Sequence, residues 1–424
     1  MTRFFAPSFA FRLNQAALLL ILVLLIATPV RSHVVIAALM LYSIGYLVAH
    51  RRTWAMSTFD WLVVVILSSL LLARLPIFVM DDYTSRYLSP GFHMLALVPI
   101  YLMLRHLVTP ENMRQLRGYM EWGVIIGSLG ALSVALYQTQ VLGYYRADGF
   151  LFSINLSYLS CAMAFLAACL IRDGRYQRWL LAAALAATVT CVLTLARGGI
   201  FALPLLLVLL LYLNADRLGW KLVITPLAGL LAIALLSYLT LPNVERRVEY
   251  TVAEFTNLMD GNVEAAVSSG GRLQLWTAAS HAFMERPLIG LGYDEREALN
   301  AKLVEQGVIT EWVLGVSRGH AHSQYFEMAA TGGVLGLIAL FGYLIVPGIY
   351  HAQLYWRDKS NSYAMTALVF TTGFTIFCLT EAAIHHEMMV AFYAYMQVVL
   401  LVMAWNHTKA TTASSKPLAL RRAL

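Results

Sequence analysis

The feature that most constrains this chain is a series of long apolar runs, most of them separated by short polar segments. About 20 apolar residues cross the hydrocarbon core of a bilayer as an α-helix, and most of these runs approach that length. Hydrophobic residues make up 60% of the chain and charged residues 12%, about half the charged share of an average soluble domain. A soluble core could not bury that much apolar surface, so the sequence predicts an all-α polytopic membrane protein.

We predict twelve transmembrane helices in a single membrane domain over residues 1–424. The long apolar run from 179 to 213 is divided in two, because one helix of that length would exceed a single crossing, and we assign the turn to Gly198 and Gly199. The predicted spans cover residues 9–28, 34–49, 59–75, 91–107, 119–141, 150–171, 179–195, 198–213, 222–241, 324–349, 363–380 and 388–405.

The connection between the ninth and tenth predicted spans, residues 242–323, is much longer than the others. Long loops on a compact scaffold usually carry function, so we expect a partly helical, functional loop. One helix is predicted from residue 272 to about residue 285, with an apolar face that includes Trp276 and could rest on the membrane surface. The polar tail, residues 407–424, is expected to be disordered and cytoplasmic.

The net charge of +7 becomes informative when it is divided between the two sides of the membrane. With the N-terminus in the cytoplasm, the inner segments carry 18 of the 30 Lys and Arg and 6 of the 23 Asp and Glu, a charge of +12. The outer segments keep 12 cations and 17 acids, a charge of −5. The positive-inside rule selects this orientation, with both termini cytoplasmic. The positive charge thus reflects topology, and we expect no nucleic-acid partner.

Some arginines lie where the positive-inside rule does not expect them, in outer segments. Arg146 and Arg197 flank predicted spans, and Arg272 lies in the long loop, one helical turn before Trp276, on which it could stack. One explanation is snorkelling, in which each guanidinium reaches lipid headgroups. The other is a cluster of guanidiniums at the outer mouth of the bundle. Such a cluster would bind phosphate, because a guanidinium pairs two oxygens at once.

A polar group precedes and begins the tenth predicted span: Arg318, His320, His322, Tyr325 and Glu327. Ionisable groups at the start of a span are costly, so they are candidates for function. A histidine there can act as a general base near neutral pH, or it can be an interfacial residue with a satisfied hydrogen bond. Two histidines two residues apart could bind a metal, but no Cys or Asp accompanies them at ligand spacing. We predict no metal.

A second group, Glu381, His385, His386 and Glu387, lies between the last two predicted spans. Three interpretations remain open for it. It could be a metal site, or its carboxylates and imidazoles could form the rim of the same cavity as His322. It could also be a solvated turn, which is the interpretation we prefer.

Three sequence motifs occur in a particular order along the chain. TLARGG contains Arg197, R-x-x-x-W followed by P-L-I-G-x-G begins at Arg272, and H-x-H-x-x-Y followed by T-G-G begins at His320. In this order and spacing the chain resembles the O-antigen ligase and O-antigen polymerase superfamily. The segment RADGFLFSIN resembles an outer stretch of the family more loosely. Ala196 and Ser323 stand where the family usually has Ser and Asn, so local hydrogen bonds should differ.

The resemblance implies an enzyme of the bacterial inner membrane with a periplasmic active site. Its donor would be a glycan linked to undecaprenyl diphosphate, and its acceptor the lipid A–core sugar for a ligase or another lipid-linked repeat for a polymerase. A third branch glycosylates protein hydroxyls. We favour the ligase because of the H-x-H form. By the same resemblance the transfer needs no metal or other cofactor.

Carried over to this chain, the resemblance assigns catalysis to three residues, His322, Arg272 and Arg197. Arg197 and Arg272 would hold the diphosphate, and His322 would serve the acceptor hydroxyl. Membrane lipids surround the site. We expect five further residues to bind substrate, namely Arg146, Arg318, His320, Tyr325 and Trp276.

A secondary transporter is the alternative from another class. Transporters are commonly built from two related halves with a site near the membrane midplane. We find no matching halves in this sequence, and the polar residues gather at one face.

Overall fold

The computed structural model describes residues 3–53, 55–217, 220–263, 265–316 and 320–415. Within these ranges the chain forms sixteen α-helices and no strand. The first nine are α1 (Pro7–Ile26), α2 (His33–Ala49), α3 (Thr58–Met80), α4 (Ser89–Leu95), α5 (Leu97–Leu107), α6 (Met113–Leu136), α7 (Ser153–Ile171), α8 (Gln177–Leu193) and α9 (Arg197–Leu213). The other seven are α10 (Trp220–Thr240), α11 (Pro242–Met259), α12 (Val267–Glu285), α13 (Tyr293–Glu305), α14 (Gln324–Arg357), α15 (Ser362–Thr380) and α16 (Glu387–Ser415).

Five short helical segments complete the secondary structure of the described residues. Four are 3₁₀ helices and one, which continues α6, is a π-helix. The 3₁₀ helices are Arg3–Phe5, Ser85–Tyr87, Glu311–Val316 and Ala383–His385, and the π-helix is Tyr137–Val141.

The prediction of an all-helical, multi-pass membrane protein is confirmed. Seven helices in the described ranges are long and apolar enough to cross a membrane: α1, α3, α6 with its π-helical extension, α7, α14, α15 and α16. An eighth crossing is possible if α10 and α11, which meet at a bend of 102°, form one broken span. Helices α2, α8 and α9 are apolar but shorter. Every predicted span overlaps a helix, but the count of twelve stays a prediction.

The last helix is longer than expected. We predicted a span that ends at residue 405 and a disordered tail from residue 407, whereas α16 continues to Ser415. The prediction is therefore wrong for residues 407–415, and the remainder of the tail lies outside the described residues. Its polar residues remain helical because they continue a helix whose preceding turns are buried in the bundle.

Helix α7 lies at the centre of the bundle and is buried on almost every face. It contacts α6, α8, α9 and α15, and small side chains such as Ser157, Ser160 and Ala164 let these neighbours approach closely. Helix α15 packs beside it and ends at Thr380. This packing delivers the residue after α15, Glu381, to the end of the bundle at which α14 begins.

The break between α8 and α9 is made by a different residue from the one predicted. The chain turns at Leu195, whose φ is +53°, and Gly198 and Gly199 lie inside the first turn of α9. A Cβ at Gly198 would lie 2.2 Å from the hydroxyl of Tyr158, and one at Gly199 would lie 2.2 Å from Oγ of Ser157. These glycines therefore allow α9 to pack closely on α7.

The glycines of the P-L-I-G-x-G and T-G-G motifs join the long loop to α14. Gly333 has φ +58° and breaks the helical geometry inside α14. The freed backbone N–H groups of Val334 and Leu335 donate to the carbonyls of the PLIG segment, at 2.7 Å and 3.2 Å. A Cβ on Gly333 would lie 2.4 Å from the carbonyl oxygen of Pro287. These glycines thus allow a close approach between two parts of the same chain.

A buried arginine stabilises the same break in α14. Nη1 of Arg74, on α3, donates to the backbone carbonyl of Thr331 at 2.5 Å and to its Oγ1 at 2.6 Å. The carbonyls before a helix break lack their usual helical donors, so a guanidinium can satisfy them. Arg74 is therefore a buried structural residue.

Helix α12 begins earlier than predicted and packs against protein. It starts at Val267, so Gly270 and Gly271 lie inside it, where a Cβ would collide with Val263 and Trp312. The face that we expected to rest on the membrane surface packs instead against the loop before α14 and the start of that helix. The expected membrane contact is therefore wrong for the part of this face at Trp276.

Candidate active site

The segment from His320 to His322 is held in one conformation by contacts on both sides of Ala321. The indole Nε1 of Trp276 donates to the Ala321 carbonyl at 2.9 Å, and the Ala321 N–H donates to Oε2 of Glu327 at 3.0 Å. His322 itself has φ +47°, a left-handed conformation that a residue with a Cβ rarely adopts. The surroundings thus impose the direction in which the His322 side chain points.

Glu381 contacts both histidines of this segment. Nδ1 of His322 lies 3.1 Å from Oε2 of Glu381, and Nε2 of His320 lies 3.1 Å from Oε1. The Ala382 N–H also donates to Oε1, at 3.0 Å. Glu381 is 1% exposed, whereas the His322 side chain is 31% exposed. The result is a buried carboxylate that orients an accessible imidazole.

The protonation states follow from this environment. Burial by itself raises the pKa of the Glu381 carboxyl, but the hydrogen bond from His322 and the neighbouring imidazoles outweigh burial and hold its pKa at about 2. Burial lowers the pKa of His320 despite the nearby carboxylates. With Glu381 ionised, Nδ1 of His322 carries the proton of that hydrogen bond. The other ring nitrogen, Nε2, is then free to accept a proton.

Arg272 lies on the helix that contacts the His322 segment through Trp276. It lies on α12 one turn after Ser268 and one turn before Trp276, so the three share a face. Ser268 accepts from Arg197, and Trp276 donates to the carbonyl next to His322. In the described part of the chain Arg272 makes no hydrogen bond or ion pair. Its guanidinium is therefore available to an anion.

Tyr158 links this arginine electrostatically to the carboxylate. The charges of both Arg272 and Glu381 act on its hydroxyl, which hydrogen-bonds Oγ1 of Thr380 at 2.8 Å. The predicted stacking of Arg272 on Trp276 is not observed, because the indole stacks on Phe326 with 5.0 Å between ring centroids.

Arg197 has partners within the protein. Its Nη1 lies 2.5 Å from Oε2 of Glu254, and its Nη2 donates to Oγ of Ser268 at 2.6 Å. Glu254 also accepts from the backbone N–H of Ser268 and from Oγ of Ser269, at the start of α12. Arg197 and Glu254 thus hold the N-terminus of α12, about two turns before Trp276, which contacts the His322 segment.

The remaining predicted substrate-binding residues are dispersed. Arg146 is exposed and lies 3.6 Å from Asp148. The Tyr325 hydroxyl donates to the backbone carbonyl of Thr375 at 3.1 Å, so it anchors α14 on α15. Arg318 lies outside the described residues. Of the predicted set, the structure brings His320, His322, Arg272 and Trp276 together around one point.

Glu381 and Glu327 are the residues whose importance was misjudged from sequence. We preferred a solvated turn for the Glu381 group, but residues 381–384 are buried and two of the neighbouring histidines face the H-x-H segment. Glu327 is also buried and pairs with Arg296 of α13 at 3.0 Å. The sequence did contain a signal for Glu381, because the residues that follow it after α15 are apolar, whereas the residues of a solvated turn are usually polar.

The cluster also has the composition of a metal site. The ligand atoms of His320, Glu381 and His386 all lie within 4.8 Å of one another. However, Nδ1 of His320 accepts a hydrogen bond from the His322 N–H at 3.2 Å, so the neutral ring carries its proton on Nε2. That nitrogen faces Glu381 and would have to lose the proton to bind a metal. The hydrogen-bonded arrangement therefore favours acid–base chemistry.

Part of the chain is similar to known proteins. Residues 181–341 match the family model described as O-Antigen ligase, a segment that contains Arg197, Arg272 and His322. An uncharacterized protein of Haemophilus influenzae (strain Rd) is 27% identical over 225 residues, which are 51% of this chain and 55% of that protein. The chain thus spans about half the length of the curated relative that it matches.

Proposed function

We propose that this chain, whose residues 181–341 belong to the O-antigen ligase superfamily, is a lipopolysaccharide O-antigen ligase. It transfers a glycan from undecaprenyl diphosphate to a sugar of the lipid A–core at the periplasmic face of the bacterial inner membrane. The observation that carries the proposal is the buried Glu381 carboxylate on Nδ1 of His322, beside the unpaired guanidinium of Arg272.

His322 is the proposed general base. Glu381 holds the imidazole in the tautomer with a free Nε2 and stabilises the positive charge that the ring gains, a role that carboxylates have in other catalytic histidine pairs. Nε2 takes the proton of the acceptor hydroxyl as its oxygen attacks the anomeric carbon. Such proton transfer contributes about 10²–10⁴-fold to the rate.

Arg272 is the proposed binder of the leaving group. The bond between the anomeric carbon and the diphosphate oxygen breaks as the new glycosidic bond forms, and the electron pair stays on the diphosphate. A preorganised guanidinium stabilises this negative charge where it develops. Attack from the face opposite the leaving group inverts the anomeric configuration. The balance of the reaction needs no cofactor, because the acceptor proton and the diphosphate are its only other products.

Three further residues are proposed to position this machinery. Arg197 fixes the N-terminus of α12 through Glu254 and Ser268, and so sets the location of Arg272. Trp276 and Glu327 fix Ala321 and so set the direction of His322. The orientation in the membrane follows from the positive-inside rule, which puts both termini in the cytoplasm and the His322 end of the bundle in the periplasm.

Reconstituted transfer tests the proposal. Purified chain in proteoliposomes is supplied with undecaprenyl-diphosphate-linked glycan and lipid A–core, and gel mobility of the core reports its glycosylation. We expect His322→Ala to lower the rate by at least about 10²-fold. The matched control is His281→Ala, another histidine of the long loop, which should keep the wild-type rate.

The products distinguish the members of the superfamily. A glycosylated core with inverted anomeric configuration supports the ligase. Elongation of the lipid-linked donor without a glycosylated core means a polymerase, and a rate unchanged by His322→Ala would show that the site is elsewhere.

A further inference from the structure

A large cavity opens at the end of the bundle opposite to His322. Its volume is about 1190 Å³, and Ser362, at the N-terminus of α15, lines it. Glu381 follows the other end of the same helix, and α15 has 19 residues, so the two sites are separated by roughly 27 Å at 1.5 Å per residue. The cavity is therefore distinct from the proposed transferase site.

The lining of this cavity is cationic. It contains four arginines, Arg12, Arg114, Arg117 and Arg175, against two acids, Glu121 and Asp173. Arg117 is buried, pairs with Glu121 at 2.8 Å and donates to the carbonyl of Leu170 at 2.8 Å, so it forms a fixed part of the wall. The other three arginines are exposed and form no ion pair in the described part of the chain.

The lining also includes apolar and aromatic side chains on the same helices as the arginines. On α1 it runs from Arg12 to Leu19, and on α6 from Arg114 to Trp122. These distances correspond to about two helical turns each, roughly 10–12 Å. Tyr119 and Trp122 are aromatic residues of the kind that lie at the level of lipid headgroups. The cavity thus combines exposed guanidiniums with apolar and aromatic side chains, a combination that matches an amphiphile.

We propose that this cavity binds the headgroup of an anionic phospholipid. The phosphodiester pairs with the free guanidiniums of Arg12, Arg114 and Arg175, each of which can contact two phosphate oxygens. The acyl chains leave past Leu19 and Trp122. Basic pockets between transmembrane helices recognise anionic lipid headgroups by this chemistry. The proposal is independent of the transferase function.

The cavity has room that a single side chain can fill. Gly118 lines it, and a Cβ at this position would meet no atom within 4 Å. Gly118 lies inside α6, so a larger residue there keeps the charges and improves the helical propensity. Gly118→Phe therefore introduces a large side chain that narrows the cavity. The double variant Arg114→Gln/Arg175→Gln removes two positive charges from its wall.

The test is retention of phosphatidylglycerol by the full-length chain in detergent, measured by native mass spectrometry, with phosphatidylcholine as the neutral comparison. We expect the double arginine variant and Gly118→Phe each to weaken phosphatidylglycerol binding on the order of tenfold. Arg51→Gln/Arg52→Gln is the matched control, since it removes two exposed arginines that do not line the cavity. Glycan transfer by all variants should stay at the wild-type rate.

Three outcomes would overturn the proposal. Equal losses in the control and cavity variants would mean a general attraction of anionic lipid to this end of the bundle. Unchanged binding in both cavity variants would place the lipid elsewhere. Displacement of phosphatidylglycerol by millimolar inorganic phosphate would make a free phosphate, and not a lipid, the ligand.

Discussion

His322 and Glu381 lie 59 residues apart, one before the start of α14 and the other after the end of α15, yet Nδ1 of the histidine lies 3.1 Å from the carboxylate. Neither residue by itself indicates a catalytic role. An isolated histidine at a span start is an interfacial residue, and an isolated glutamate in a turn is a solvated one. Their contact makes the imidazole a directed base, because the buried carboxylate chooses the protonated nitrogen and leaves the other one accessible.

Glu381→Gln tests this coupling. The amide keeps the size of the side chain but has no charge to stabilise the imidazolium, so we expect the transfer rate to fall on the order of 10²-fold. Glu387→Gln is the matched control, an exposed carboxylate of the same segment that accepts only from Ser89 at 3.3 Å. A Glu381→Gln enzyme with the wild-type rate and stability would contradict the proposed role.

Arg272→Lys tests whether the leaving group needs a guanidinium. Lysine keeps the charge but cannot pair two phosphate oxygens in one plane, so we expect transfer to fall by about tenfold or more. The same change at Arg286, at the end of α12, should leave the rate near wild type, because that exposed pair with Glu295 contributes little. Equal rates for the two variants would mean that Arg272 makes no diphosphate contact.

At the scale of elements, the site depends on how α12 and α14 are held together. Helix α12 contributes Arg272 and the indole of Trp276, and α14 begins directly after His322. The PLIG segment after α12 hydrogen-bonds the break in α14 at Gly333, and this connection locks the two helices at a constant separation. The glycines of both motifs serve this packing, so their effect on catalysis is indirect.

Gly333→Ala tests the connection. The new Cβ would meet the Pro287 carbonyl and require a left-handed alanine, so we expect a loss of about 1–3 kcal/mol in the free energy of unfolding. Gly342→Ala, in the same helix, is the control, since the nearest atom to its Cβ would be Oγ of Ser69 at 3.9 Å. Thermal unfolding in detergent measures both. Equal midpoints would argue against the strain at Gly333.

At the scale of the whole molecule, charges that would be costly in a membrane protein are collected at the two ends of the bundle. One end buries carboxylates and imidazoles around His322, and the other holds the arginine-lined cavity. The charge pattern along the sequence reflects this division, because the positive-inside rule acts on loops. The arrangement also makes stability depend on pH.

We predict that the protein loses stability as the pH falls below about 6.5. Burial lowers the pKa values of His320, His385 and His386 from 6.5, that of His385 to about 3. As the pH falls, the unfolded chain therefore takes up protons before the folded chain does. The contribution of these histidines to stability is complete above about pH 6.5 and is lost towards about pH 3. Glu381 adds a second loss between 4.5 and about 2, since protonation breaks its hydrogen bonds. Unfolding midpoints between about pH 4 and about pH 8 measure the effect, and His385→Gln should flatten it.

The sequence alone was sufficient for the class of fold, and it named some of the residues that form the candidate site. Apolar runs near the length of a bilayer predict helices without any knowledge of packing, because a backbone in lipid must satisfy its own hydrogen bonds. The H-x-H segment and Arg272 were also predicted, since charges are conspicuous in such a chain. Several boundaries were wrong where tertiary contacts override local signals, as at Leu195, at the start of α12 and beyond residue 405.

Only the tertiary structure decided which charged side chains have partners within the protein. Arg197 and Arg272 look equivalent in sequence, but Arg197 forms an ion pair with Glu254, whereas Arg272 pairs with no described residue. In the same way Glu381 becomes a buried partner of His322 only because α14 and α15 pack side by side. Hydropathy acts along the chain and is readable from it, whereas the pairing of charges depends on contacts between residues far apart in sequence, which only the packed bundle brings together.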